Sequence, residues 1–331
     1  MTADLLSAEQ QSRPAVTGSI RNLPVNLFGA VMGLSGLALG WRLAIQSLGF
    51  GAQVADALSI FSSLVFLAIT VAYLFKLVKH PDAVLAEFRH PIAGNFFGTI
   101  TISLLLQSAV LGHYFGQVGL VLWIVGTVTT LLVSYVVVSR LLSGGGDPSH
   151  AVPAWLIPGV AALDIAVTFA YTDLPGSAET LRVAAGIGTA LALVMFTMIV
   201  VRLVQREPLA AAMTPSLMIL VAPFEVGFLA YTNLTGEVDG FAAMLFYFGL
   251  FLFLVLAPKV FRPGIAFGPA WWAISFPLAA LVNAALKYAS VQSSQPLTWL
   301  AWGLLILLTA ALSLLTVRTF RIVLNGKLLA N

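Results

Sequence analysis

The sequence predicts an all-α membrane protein of ten transmembrane helices, built as five helical hairpins in a quasi-five-fold ring, with the odd-numbered inner helices kinked around a central pore. Three observations predict it. First, 60% of the 331 residues are hydrophobic and 9% are charged, where a soluble domain carries about 25% charged residues. Second, thirteen of the 16 Lys and Arg residues fall at one set of helix ends, with only Arg42, Arg182 and Lys287 at the other. Such an excess marks the cytoplasmic ends, so both termini are expected inside. Inserting or deleting one span would scramble the alternation. Third, Pro24, Pro91, Pro153, Pro215 and Pro269 open the odd spans at intervals of 67, 62, 62 and 54 residues. A near-constant interval signals a repeated unit. The interior prolines Pro158, Pro223 and Pro277 also fall only in odd spans.

In order, residues 1–22 read as a disordered, polar cytoplasmic tail. The first span, Pro24–Ile45, carries Gly29, Gly33, Gly36 and Gly40 at helical spacing, a stripe of small residues that lets two backbones approach closely. Val54–Val78 is the second span. The charged loop KLVKHPDAVLAEFRHP leads to the third, Ile92–Gly112, and Gln117–Leu142 is the fourth. After the connector SGGGDPSHAVP come Pro153–Tyr171, Ala178–Val204, Thr214–Tyr231 and Gly240–Ala257. Gly268–Ala289 and Leu297–Thr319 complete the ten. The channel domain is thus expected over 23–321, with a cytoplasmic tail at 322–331.

Several classes of function are excluded. There is no cysteine, and His80, His90, His113 and His150 lie far apart without metal-ligand spacing. No Ser/His or paired-carboxylate constellation suggests an enzyme, so catalytic residues, metal and cofactor are all expected to be none. The basic residues are scattered between apolar runs, which excludes nucleic acid as a partner. The lipid bilayer is the partner that composition dictates.

The ninth span, GPAWWAISFPLAALVNAALKYA, has Pro277 near its middle. A proline there removes a backbone donor and collides with the carbonyl four residues back. In lipid such a break is tolerated where the backbone is buried in protein or lines a wet cavity. Phe276 precedes it, flanked by Ala273, Ala279 and Ala280. Two readings stand: Phe276 projects into a pore, or it is one of 22 phenylalanines packed against lipid or a neighbouring helix. Trp123, Trp271, Trp272, Trp299 and Trp302 read as interfacial anchors. Arg42 and Lys287 read either as cations that draw anions to the outer mouth or as side chains snorkelling to headgroups.

Five segments together resemble a known family. They are LPVNLFGAVMGLSGLALGW in the first span, EFRHPIAGNFF at the third, LVAPFEVGFLAY and NLTGEVDGFAAMLFYFGL in the seventh and eighth, and WWAISFPLAALVNA in the ninth. The sequence is similar to the tellurite-resistance/dicarboxylate transporter family, which includes bacterial TehA-like proteins and the plant slow anion channels. The resemblance implies an anion channel of the bacterial inner membrane, or alternatively a proton-coupled transporter of C4-dicarboxylates or tellurite-type oxyanions. It further implies a homotrimer with a pore in each subunit and small inorganic or organic anions as partners. Phe276 then matches the gating phenylalanine and Phe28 another aromatic position along the passage, and Phe96, Pro158, Pro223 and Pro277 are the further pore-lining or kink candidates.

Two features depart from the family pattern. Pro277 stands where glycine is common, which should stiffen the bend. Asp164 and Glu225 lie at mid-depth in inner helices, where an ionised carboxylate is costly and would repel an anion. Either both are neutral or hydrogen-bonded between helices, to Asn95, Asn283 or a hydroxyl, or one carries a transported proton.

Overall fold

The computed structural model describes residues 18–48, 51–144, 146–169, 174 and 177–330. Most of the expected N-terminal tail, and Tyr171 at the expected end of the fifth span, lie outside these residues. Among the described residues ten helices of 13 residues or more follow in order: α1 (Phe28–Leu48), α2 (Ala52–Lys79), α3 (Phe97–Gly112), α4 (Gly116–Leu142), α5 (Leu156–Thr168), α6 (Ser177–Gln205), α7 (Ala222–Thr235), α8 (Gly240–Val260), α9 (Ser275–Gln292) and α10 (Gln295–Leu324). No strand occurs among the described residues.

Consecutive helices pack as the hairpins α1/α2, α3/α4, α5/α6, α7/α8 and α9/α10, and α1, α3, α5, α7 and α9 form a closed circuit in which α9 packs back onto α1. Burial separates two shells. In the spans containing α1, α3, α7 and α9, 67–78% of the apolar window is buried, against 17–33% in α2, α4, α6, α8 and α10. Every residue of α5 except Val167 is buried. The outer helices leave many leucines, valines, isoleucines and phenylalanines exposed, such as Leu64, Val128, Phe251 and Ile306, as a lipid-facing shell must.

Each inner helix begins with a 3-10 segment: Val25–Leu27, Ala93–Phe96, Pro153–Trp155, Ala211–Val221 and Pro269–Ile274. The interior prolines explain the last three. A proline clashes with the carbonyl four residues earlier in an α-helix. The residues four before Pro158, Pro223 and Pro277 are Ala154, Ile219 and Ala273, and all three lie within these 3-10 segments. The prolines therefore occupy the first α-helical turn, where a missing N–H costs least. The expected mid-helix kink is instead a change of winding at the start of the α-helical part.

The glycine stripe of α1 lies against α9. A Cβ on Gly36 would stand 2.6 Å from the Ala279 Cβ, and Gly33 approaches Ser275 closer still. Ser275 Oγ donates to the Gly29 carbonyl at 2.8 Å, and Asn283 Nδ2 to the Gly36 carbonyl at 2.9 Å. This seam fixes the height of α9 against α1.

Three expectations are corrected. The charged loop after α2 contains a helix, Pro81–Arg89, with proline in its first turn, Asp82 beside it and Arg89 in its last turn. These are favourable positions for proline and for both charges. Glu87 of that helix accepts the Lys76 ammonium at 2.7 Å, the Tyr73 hydroxyl at 2.9 Å and the Val25 N–H at 2.8 Å. Trp123 and Trp272 are buried, donating to the Ile165 carbonyl and the Thr319 hydroxyl, so they join helices; Trp299 is exposed. Residues 18–22 dock on the other terminus, with the Ser19 N–H donating to the Leu329 carbonyl at 3.1 Å. The two ends of the described chain thus share one face of the bundle, and α10 runs on to Leu324.

Candidate ion pathway

Three cavities run through the inner circuit. At the face where the inner helices start is a mouth of about 350 Å³, bordered by Asn26, His90 and Phe96. Deeper is a neck of about 40 Å³, room for a few waters at ~10–15 Å³ each. Beyond it opens a vestibule of about 380 Å³. Asn26, Phe96, Ala270 and Ala273 border both mouth and neck. Phe276 alone borders both neck and vestibule.

All five inner helices or their lead-ins contribute to the neck: Met32 from α1, Ile102 from α3, Val160 from α5, Ile219 before α7 and Phe276 from α9. The wall there is almost wholly apolar. Water held between apolar surfaces loses hydrogen bonds, which is how hydrophobic constrictions in channels gate. Phe276 is 8% exposed, so its side chain closes the cavity boundary rather than facing lipid. Pro277 also lines the neck, and the 3-10 turn that Pro277 enforces sets the direction in which its neighbour projects.

The other proposed pore residues divide. Phe96 stands at the junction of mouth and neck. Phe28 does not line these cavities: it is 2% exposed and packs edge-on against Tyr73 of α2, centroids 5.9 Å apart. It precedes Gly29, and with the glycine stripe turned to α9, the residue about 100° away around the helix faces the outer shell. The Pro158 carbonyl accepts from Ser134 of α4, and Pro223 lines a lateral cavity between α5, α6, α7 and α8. These two prolines shape helices without bordering the passage.

The two acids have different surroundings. Asp164 of α5 lines the vestibule, 1% exposed, and its Oδ2 has no hydrogen-bond partner. Glu225 of α7 is fully buried away from the passage, wedged on Gly249 of α8 with neither carboxyl oxygen partnered. Neither acid is bonded to the expected amides, because Asn95 donates to the Pro91 and Ile92 carbonyls and Asn283 to those of Gly36 and Ala279.

Lys287 lines the vestibule too, its ammonium 2.6 Å from Asn233 Oδ1. The bond ties α9 to α7 at this cavity. Phe276, Ala280, Asn283 and Lys287 follow the four-three-four spacing of one helix face, the sequence signal that could have put Lys287 beside the pore. Arg42, by contrast, is tied to Asp56, Tyr114 and His113. Asn26, which borders both mouth and neck, had no such signal.

Among known proteins, the chain is 29% identical to the S-type anion channel SLAH2 of Arabidopsis thaliana, over 80% of this chain and 52% of that protein. It is 24% identical to the guard cell S-type anion channel SLAC1 of the same plant, over 96% of this chain and 58% of that protein. An uncharacterized transporter of Methanocaldococcus jannaschii is 26% identical over 93% of this chain and 95% of its own length. The chain therefore spans about half the length of these plant relatives and nearly all of the archaeal one. Residues 22–320 match the family described as SLAC1, voltage-dependent anion channel, and the chain belongs to that family.

Proposed function

We propose that the protein is a passive anion channel of the bacterial inner membrane, with both termini cytoplasmic, a pore in every subunit of a homotrimer, and Phe276 as the gate. The observation that carries this reading is the run of three cavities through one closed circuit of helices, with a single side chain, Phe276, common to neck and vestibule. Anion preference is supported by the charge on the path: among the described residues the vestibule has one cation, Lys287, and its only carboxyl, Asp164, is buried without a donor that would stabilise its ionised form. The relatives that carry channel names are plant anion channels. Planar-bilayer recordings test the reading, since Phe276→Ala should raise anion current in a correctly assembled protein, and unchanged or reduced current would count against the gate.

The second reading is a proton-coupled carrier of C4-dicarboxylates or tellurite-type oxyanions. Its specific support is Asp164, a residue of the vestibule lining whose buried Oδ2 has no hydrogen-bond partner. Reversal potentials of the Phe276→Ala protein under chloride, nitrate, malate and proton gradients separate the two readings.

A further inference from the structure

Beside the pathway, at the face where the inner helices start, lies another cavity, of about 230 Å³. The end of α4, Met195 of α6, the lead-ins of α3 and α5 and the connector after α4 enclose it. It shares one lining residue, His90, with the mouth, and none with the neck or the vestibule. Its wall is basic: Arg89, Arg140, His90 and His150 stand against a single carboxylate, Asp147. The four ion pairs among the described residues engage Arg21, Arg42, Lys76 and Arg182. Arg89 and Arg140 belong to none of them.

The donors of this wall are held in place but little used. The Arg140 guanidinium lies over the Phe88 ring, 4.3 Å from its centroid, and Nη1 donates to the Phe88 carbonyl at 2.8 Å. A guanidinium has five N–H groups, so most of its capacity is left. The Arg89 guanidinium has no hydrogen-bond partner among the described residues. His90 Nδ1 accepts from the Ile92 and Ala93 N–H groups at 3.2 and 3.0 Å. The neutral ring therefore has its proton on Nε2, an unused donor. Asp147 is taken up by its own loop, with Oδ1 accepting from the Ser149 N–H at 2.8 Å. Behind that loop Arg202 of α6 donates from Nε to the Ser149 carbonyl at 3.4 Å, and its Nη1 is buried without a partner.

We propose that this cavity is a binding site for a phosphate group that is not transported, held by the Arg89 and Arg140 guanidiniums and the His90 imidazole. A guanidinium is a planar fork that matches a pair of anionic oxygens. A phosphate group has at least two non-ester oxygens, enough to face both forks, whereas a halide has no such pair. The surroundings fit the headgroup of an anionic phospholipid. Leu142 and Val204, at the ends of α4 and α6, are exposed, which puts apolar surface for acyl chains beside a basic cavity. Basic pockets between membrane helices take phospholipid headgroups in this way. A soluble phosphate would meet the same donors. The site does not depend on Phe276 as the gate, because its lining is separate from the neck.

The test is the thermal melting of detergent-solubilised full-length protein with dioctanoyl phosphatidylglycerol, dioctanoyl phosphatidylcholine or inorganic phosphate, at equal ionic strength. Phosphatidylglycerol should raise the melting temperature in a saturable way. Phosphatidylcholine, whose choline cancels the phosphate charge, should not. Arg89→Gln should raise the half-saturating lipid concentration about tenfold, the scale of one charge-assisted hydrogen bond, and Arg140→Gln should act likewise. Arg89→Gln breaks no bond within the protein, so it suffices if Arg140→Gln folds poorly. Arg262→Gln, at an exposed arginine outside the cavity, should leave the titration unchanged. Inorganic phosphate separates the sources. Stabilisation by phosphate alone, lost in Arg89→Gln, assigns the site to a soluble phosphate, and stabilisation by the lipid at far lower concentration assigns it to a headgroup. No shift with either probe, an equal shift with phosphatidylcholine, or an equal weakening in Arg262→Gln overturns the site.

Discussion

Gly36 of α1 and Ala279 of α9 meet so closely that a β-carbon on Gly36 would stand 2.6 Å from that of Ala279. Real Cβ contacts are longer, and both neighbours are helix backbone-proximal atoms with little freedom to move. Gly36→Val should therefore destabilise the protein by about 1–3 kcal/mol, the usual cost of overpacking, and read out as a lower melting temperature. Gly186→Ala is the control, because a β-carbon at that position would meet no atom within 4 Å. Equal losses at both positions would falsify the close-seam account.

At the constriction, the barrier from one aromatic side chain is on the order of its burial free energy, about 1.5–3 kcal/mol. Phe276→Ala should then increase single-channel conductance by about tenfold to a hundredfold, and Phe276→Leu by less. Phe28→Ala, outside the pathway, should lower stability and leave conductance of the folded fraction unchanged. A conductance gain at residue 28 comparable to that at 276 would reverse the assignment.

Glu225 offers a third comparison. Its carboxyl is buried against Gly249 with neither oxygen bonded, and a buried polar group without partners costs about 1–3 kcal/mol. Glu225→Met, similar in volume and apolar, should raise the melting temperature while anion currents persist. Loss of proton-driven uptake in Glu225→Gln, with uptake present in the unmodified protein, would instead favour the carrier reading.

Beside the mouth, Lys76 and Glu87 form a pair whose side chains are 4% and 16% exposed. Removing one member of such a pair costs about 3–5 kcal/mol, whereas replacing both by apolar residues costs far less. Lys76→Met should melt earliest, and the Lys76→Met/Glu87→Gln double variant, which removes the charge but keeps an acceptor for the Val25 N–H and the Tyr73 hydroxyl, should recover most of the loss. Equal melting of single and double variants would mean that the pair is solvated.

Much of this architecture was legible from punctuation in the chain. The proline interval gives the hairpin repeat, and the same prolines distinguish the inner circuit that borders the cavities from the outer shell. Phe276 could be singled out because it adjoins Pro277. The 3-10 lead-ins were not legible, since proline acts on a carbonyl four residues back while its own position looks like mid-helix. The direction of Phe28 and the isolation of Glu225 depend on which neighbour fills each face, which is settled only when α2 and α8 dock. Lys287 is the instructive case, because its spacing from Phe276 was present and the general habit of lysines near helix ends argued the other way.

The six-residue 3-10 segment Pro269–Ile274 ends two residues before Phe276. A 3-10 turn advances about 2.0 Å and 120° per residue, an α-helix about 1.5 Å and 100°. Rewinding those six residues as α-helix would shorten them by roughly 3 Å and swivel everything downstream by about 120°, and Pro277 opposes it by its clash with the Ala273 carbonyl. Pro277 thus holds the length and phase of this lead-in, and spin-label distances between the Pro269 end and the Gln292 end of the ninth span should shorten in Pro277→Ala.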